Sequence, residues 1–287
     1  MKKCLALVSF VILVCTNLSA QQSETTNLLL QTNAASKKER VYNIRPWIDI
    51  PVTAAFAGWS VYGMSVIYGR DLVPVEELNA LSIDKINRFD RPIASNYATK
   101  AKAASDLFFY GSMPLPLFLL FDRKIRRDGP RVGLLFLETM GTTGVIYTIS
   151  AMSANRFRPY AYNTDVPLNI RQRGGARNSF FAGHPTVVAA SVFFMARVYC
   201  DYHPTMKHKW ILYMLAGAAA ATTGYLRLKA GQHFKTDVIT GLVIGPLAGV
   251  MIPQLHKNKL LNARLALMPG LQQGGAGFSA FYKLGRK

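Results

Sequence analysis

Two histidines, two arginines and an aspartate stand out in this chain, because the segments around them are strongly apolar. His233 and Asp237 are four residues apart, so they share one face if a helix begins here. A carboxylate on one imidazole nitrogen fixes the tautomer and leaves the other nitrogen free to attack. Gly183-His184-Pro185 reads as a helix start, with proline at the first helical position. Helix starts present N–H groups that attract anions, and Gly183 lets that backbone approach a ligand closely. His184 is then a second imidazole, available as a general acid. Arg158 and Arg227 are fixed cationic forks suited to phosphate oxygens. Together these side chains are equipped for phosphoryl transfer without a metal, since two distant histidines and one carboxylate form a thin ligand set.

The elements that must position them are helical and apolar. The chain has 287 residues, of which half are hydrophobic and only 17% charged, a low share for a soluble domain. Apolar segments fall at 48–69, 105–121, 132–153, 181–200, 210–228 and 238–253, close to the roughly 20 residues that a membrane span needs. The fourth and fifth are the clearest by eye, and the second carries Pro114 and Pro116, which predict a kink. The fold class read from this is an all-α, polytopic membrane bundle of about six segments. Crossing the third to sixth segments in turn brings Asn155–Pro159, Ser179–Pro185 and Arg227–Asp237 to the same face. Residues 71–104 mix apolar and charged positions at helical spacing and read as amphipathic helices on the membrane surface or as an ordinary solvated loop. The division is 1–20 signal peptide, 21–47 polar linker, 48–258 membrane domain and 259–287 tail. In the tail, apolar pieces flank a glycine-rich stretch, which allows either a short β-hairpin or an unstructured end.

Lys2 and Lys3, the apolar run from Leu5 to Val14, and Leu18-Ser19-Ala20 read as a cleavable secretory signal. Cys4 and Cys15 would leave with it, so Cys200 would have no partner for a disulfide within the chain. The net charge of +19 raises nucleic-acid binding. The charges are scattered over every loop, without a basic helix, so anionic lipid headgroups are the better match. Lysines and arginines are equally numerous on the two faces of the bundle, so the charge rule alone does not orient it. A secretory signal would put the motif face in the cytoplasm if all six segments span. The site is expected on the periplasmic face of a bacterial-type cell membrane, which requires residues 48–69 to re-enter or lie flat.

The motifs resemble those of the type 2 phosphatidic acid phosphatase superfamily of membrane phosphatases: K-x6-R-P, P-S-G-H and S-R-x5-H-x3-D. The chain gives A-x6-R-P from Ala151 to Pro159, F-A-G-H from Phe181 to His184, and L-R-x5-H-x3-D from Leu226 to Asp237. The resemblance implies that His233 is the nucleophile forming a phosphohistidine, that Asp237 orients it, and that His184 protonates the leaving group. It implies phosphate binding by Arg158, Arg227 and the Gly183 N–H, no cofactor, and a membrane lipid phosphate as substrate. Candidates are polyprenyl diphosphate, phosphatidate, phosphatidylglycerol phosphate and lipid A phosphate. Two departures stand out: Ala151 replaces the family lysine and Ala182 the family serine. Arg156, Arg177 and Lys229 are the candidates to supply the missing charge. A degenerate relative that only binds phospholipid headgroups is the competing reading, and a vanadate-type haloperoxidase a remote third.

Overall fold

The computed structural model describes residues 40–257 throughout, and the backbone of Leu265–Gln272 and Gly275–Tyr282. The expected signal peptide and most of the linker lie outside the described residues. Six long helices appear in order: α1 Pro46–Tyr68, α2 Thr99–Ser112, α3 Gly129–Ala154, α4 Gly183–Tyr202, α5 Lys209–Lys229 and α6 Lys235–His256. Each carries one of the six apolar segments. The kink expected in the second is present: α2 stops at Ser112, before Pro114, and Leu115–Phe121 continues as a 3₁₀ helix. The compact unit is Val41–Asn258. In the tail, β1 Leu265–Gln272 and β2 Gly275–Tyr282 pair antiparallel, with Gln272 opposite Gly275.

Among the described residues, four helical stretches are long and apolar enough to cross a membrane: Pro46–Tyr68, Thr99–Phe121, Gly129–Tyr162 and Lys235–His256. The fourth and fifth segments, which look clearest in the sequence, are not among them. The reason is packing. α4 lies against α3, α5 and α6 and the kinked second segment, so it tolerates buried hydroxyls such as Thr186 and Ser191, each bonded to a backbone carbonyl. α5 is built largely of alanine, glycine and threonine between Leu215 and Gly224. Large apolar side chains cover the outside of the bundle, including Trp47, Val61, Leu107, Leu215 and Leu247. Contiguous exposure of this kind needs a non-aqueous surrounding, and the protein is an integral membrane protein.

Two sequence expectations are corrected here. α1 is one continuous helix of 23 residues in spite of Pro51, about 35 Å long at 1.5 Å per residue. It runs along α3, with Trp59 Nε1 donating to Thr148 Oγ1 at 3.2 Å and Ser60 Oγ to Gly141 O at 3.1 Å. It therefore does not turn back on itself as a re-entrant segment would. Residues 71–98 are likewise not long amphipathic helices. They form only short turns, Val75–Asn79, Ile83–Lys85 and Arg91–Ile93. Several of their apolar residues face inward, Val73 and Leu78 packing with Tyr160, Val166 and Ala176 and Ile86, Ile93 and Ala94 with Phe234, while Leu72, Ile83 and Phe89 stay exposed. Short turns with buried contacts form a cap over the motif loops, because the loops themselves offer an apolar surface to cover.

Close helix contact is set by small residues, as expected where hydrophobic burial gives little drive between helices. Gly241, Gly245 and Gly249 line the face of α6 against α4, where an added methyl would strike the backbone carbonyls of Ala182, Thr186 and Ala190. Gly245→Leu should push α6 away from α4 and lower stability by about 1–3 kcal/mol, the usual cost of overpacking. Thermal unfolding in detergent measures this; an unchanged midpoint would contradict the close contact.

Candidate active site

The three motif regions are stitched together by main-chain hydrogen bonds at one end of the bundle. Arg158 N donates to Ala176 O at 2.7 Å, Ser179 N to Arg156 O at 3.0 Å, Tyr160 N to Gly231 O at 3.0 Å and Ala182 N to Asp237 O at 3.0 Å. The turn leading to His233 uses Gly231 at φ +65°, a left-handed backbone that glycine adopts at little cost. A side chain there would also collide with the Asn96 carbonyl of the cap.

His233 is fully buried just before α6 begins. Its Nδ1–H donates to the Ser179 carbonyl oxygen at 2.6 Å. That bond fixes the tautomer and leaves the Nε2 lone pair free. The orienting carboxylate expected from Asp237 is not on the imidazole. Asp237 sits in the first turn of α6, where it accepts from Phe234 N at 2.9 Å, from Ser179 Oγ at 2.6 Å and from Arg156 Nη1. The i, i+4 argument fails because His233 precedes the helix instead of opening it. Asp237 acts on Ser179, and Ser179 holds the histidine. Burial, followed by the charges of Arg158 and Arg227, holds the His233 imidazole well below its usual value.

Arg158 and Arg227 are both buried. Arg158 Nη1 donates to Gln232 Oε1 at 2.6 Å, and Arg227 Nη1 to Ser105 Oγ and Asp106 Oδ1 at 3.1 and 3.0 Å. The Nε of each has no hydrogen-bond partner. Buried cationic donors without acceptors are costly unless an anion completes them. His184 Nε2 lies 3.0 Å from Asp106 Oδ1, and its ring stacks on Phe109 with centroids 4.3 Å apart. His184, Arg158 and Arg227 all act electrostatically on His233, and the loops that carry these residues meet at one end of the bundle.

Other candidates are placed elsewhere. Gly183 opens α4, so Pro185 is its third residue and not its first. Its missing side chain makes room for the Tyr147 ring, which an added methyl would meet at 2.9 Å. Arg156 gives its guanidinium to Asp90, Asp237 and Thr236 and lies over the Phe234 ring, so it is a brace and not a spare phosphate ligand. Burial pushes Asp90 up, but donors on Thr236, Arg156 and Asn87 outweigh this and hold it below the usual carboxylate range. Arg177 pairs with Glu77 of the cap, and Lys229 stands exposed over Tyr225. Ala151 and Ala182 are closed in: Ala151 packs with Ile67, Tyr147 and Phe181, and Ala182 is fully buried. Ser179, Asp90 and Asp106 are the side chains that sequence reasoning missed. Asp106 had a readable signal, being an ionisable residue within an apolar segment.

The buried His233 should stay neutral, protonated on Nδ1, at pH 6.5 in the substrate-free protein. Histidine ¹⁵N shifts, assigned with His233→Gln, check this; an imidazolium at that pH contradicts it. Because the folded value is lowered, the contribution of His233 to stability is present above about pH 6.5 and lost as pH falls below it.

Residues 132–260 match the PAP2 superfamily. Over 116 residues the chain is 30% identical to phosphatidylglycerophosphatase B of Bacillus subtilis (strain 168), a match covering 40% of this chain and 53% of that relative. The chain thus spans about half the length of the curated relative it matches. A crystal structure of a transmembrane PAP2-type phosphatidylglycerolphosphate phosphatase from Bacillus subtilis aligns at a TM-score of 0.37 and 21% identity, over 73% of this chain and 92% of that one. All three motif regions, Ala151–Pro159, Phe181–His184 and Leu226–Asp237, fall in order inside the span that matches the PAP2 superfamily.

Proposed function

We propose that the protein is a metal-independent phosphatase of membrane lipid phosphates, acting through a phosphohistidine. The observation that carries this reading is two buried guanidiniums with unpartnered Nε donors beside two imidazoles, at one end of an apolar bundle. His233 Nε2 attacks phosphorus, the P–O bond to the lipid breaks, and His184 gives its proton to the departing oxygen. Water then attacks the phosphohistidine, losing its proton to His184, and phosphate leaves. Arg158 and Arg227 stabilise the charge on the transferring oxygens, an effect worth most where water is excluded. A site at the bundle end suits a substrate whose phosphate lies at the interface and whose chains remain in the bilayer. The curated relative's name makes phosphatidylglycerol phosphate the first substrate to try.

A second reading, a phospholipid-headgroup binder without activity, is favoured by Ala151 and Ala182 and by the Asp106 carboxylate already on Arg227. Phosphate release from phosphatidylglycerol phosphate, phosphatidate, undecaprenyl diphosphate and lipid A phosphate, with EDTA present, separates the two. Wild type should release phosphate from at least one, and His233→Ala should fall by about 10³ or more, as when a catalytic nucleophile is removed. Equal release by both proteins would end the enzyme reading.

Six crossings, with the site on the outer face, complete the proposal. Tyr42 bonds Asp201 at the far end of α4 from His184, so the entry to α1 and the site lie at opposite ends of the bundle. Arg156, Arg158 and Arg227 are occupied within the site, which leaves fewer free cations on that side and supports the opposite face as cytoplasmic. In intact cells an impermeant thiol reagent should label Asn163→Cys and spare Asp128→Cys. The reverse pattern would put the site in the cytoplasm, as a processed secretory signal requires.

A further inference from the structure

Asp106 belongs to none of the three motifs, yet it touches two of their residues. We infer that Asp106 is a positioning residue that holds His184 in place and keeps it protonated for delivery of a proton to the leaving oxygen. The inference rests on the phosphatase reading above.

One carboxylate oxygen, Oδ1, stands 3.0 Å from His184 Nε2 and 3.0 Å from Arg227 Nη1. The other, Oδ2, accepts from Lys102 Nζ at 2.8 Å. Phe109, one turn further along α2, stacks on the imidazole face. The ring is thus gripped at its edge and on one face by the same helix. With Nε2–H given to Asp106, the proton to be transferred is the one on Nδ1. As the P–O bond breaks, that proton passes to the lipid oxygen, and His184 is left neutral with Nε2–H still on Asp106.

Charge arithmetic requires such a partner. Burial, Arg227 and Arg158 all oppose a positive charge on His184, and Lys102 pairs with Asp106. Two guanidiniums oppose a third positive charge. The substrate phosphate offsets them when it binds, and among the described residues Asp106 is the carboxylate in contact with the ring. An opposite charge at this distance favours the charged imidazole by about 1–3 pH units.

The test uses full-length protein in detergent, dioctanoyl phosphatidylglycerol phosphate and dioctanoyl phosphatidate as probes, and pH profiles of kcat and KM. Asp106→Asn should lower kcat by about 10- to 100-fold, within the range of general acid catalysis, with KM changed less than about threefold. The alkaline limb of kcat, where His184 loses its proton, should move down by about one pH unit. Asp106→Glu should return that limb to its wild-type position and recover part of kcat. An unchanged kcat in Asp106→Asn overturns the inference, as does a lowered kcat with the alkaline limb in place. A fall in KM at constant kcat also overturns it, because Asp106 would then be only an internal anion competing with phosphate. If Asp106→Asn does not fold, Asp106→Glu decides: a displaced carboxylate must lower kcat while keeping the alkaline limb, and wild-type kcat sinks the idea. Release that His233→Ala abolishes but Asp106→Asn leaves untouched removes this inference alone. Release retained by His233→Ala, or absent in wild type, removes the phosphatase reading and this inference with it.

Discussion

Burying Arg158 and Arg227 at the end of an apolar bundle is the constraint on which the rest of the site depends. An isolated charge taken out of water costs several kcal/mol or more unless it is paired. The protein meets part of that cost with Gln232, Ser105 and Asp106 and leaves the two Nε donors open. A site built in this way is short of acceptors and long on positive charge. The phosphate-bearing headgroup proposed as substrate would correct both shortfalls together. Burial and the same positive field hold the His233 imidazole below its usual value, which suits the nucleophilic role proposed for it.

Rigidity around His233 comes from a chain of polar contacts that starts in the cap. Asp90 holds Thr236 and Arg156, Arg156 holds Asp237, Asp237 holds Ser179, and the Ser179 carbonyl holds the imidazole. Each buried group in the chain has its partner, which is the condition under which buried polar networks specify one arrangement. Residues 71–98 are therefore part of the site's foundation. They supply one of the two carboxylates that hold Arg156.

The two alanines that break the family pattern also fit this picture. At Ala151 the space is filled by Ile67, Tyr147 and Phe181, and Arg70 instead binds the carbonyls at the end of α3 at 3.2 and 3.4 Å. No cation from that helix enters the site. On the other side of the site, α2 brings Asp106 next to His184 and Arg227, with Lys102 paired to its other oxygen.

The sequence by itself determined the six apolar helices, the kink before Pro114, and the convergence of His184, His233, Arg158 and Arg227, because apolar run length and alternating crossings fix which loops share a face. It did not determine how the side chains pair. The spacing of His233 and Asp237 reads as one helical face, but α6 begins at Lys235, two residues after His233. The cap was read as surface helices because a mixed apolar and charged pattern looks the same whether its apolar side meets lipid or protein. Arg156 looked like a spare phosphate ligand because its two carboxylates lie 66 and 81 residues away in the chain. Only the tertiary structure decides such matters: hydrogen-bond partners and burial depend on contacts between segments far apart in sequence, and no local periodicity encodes them.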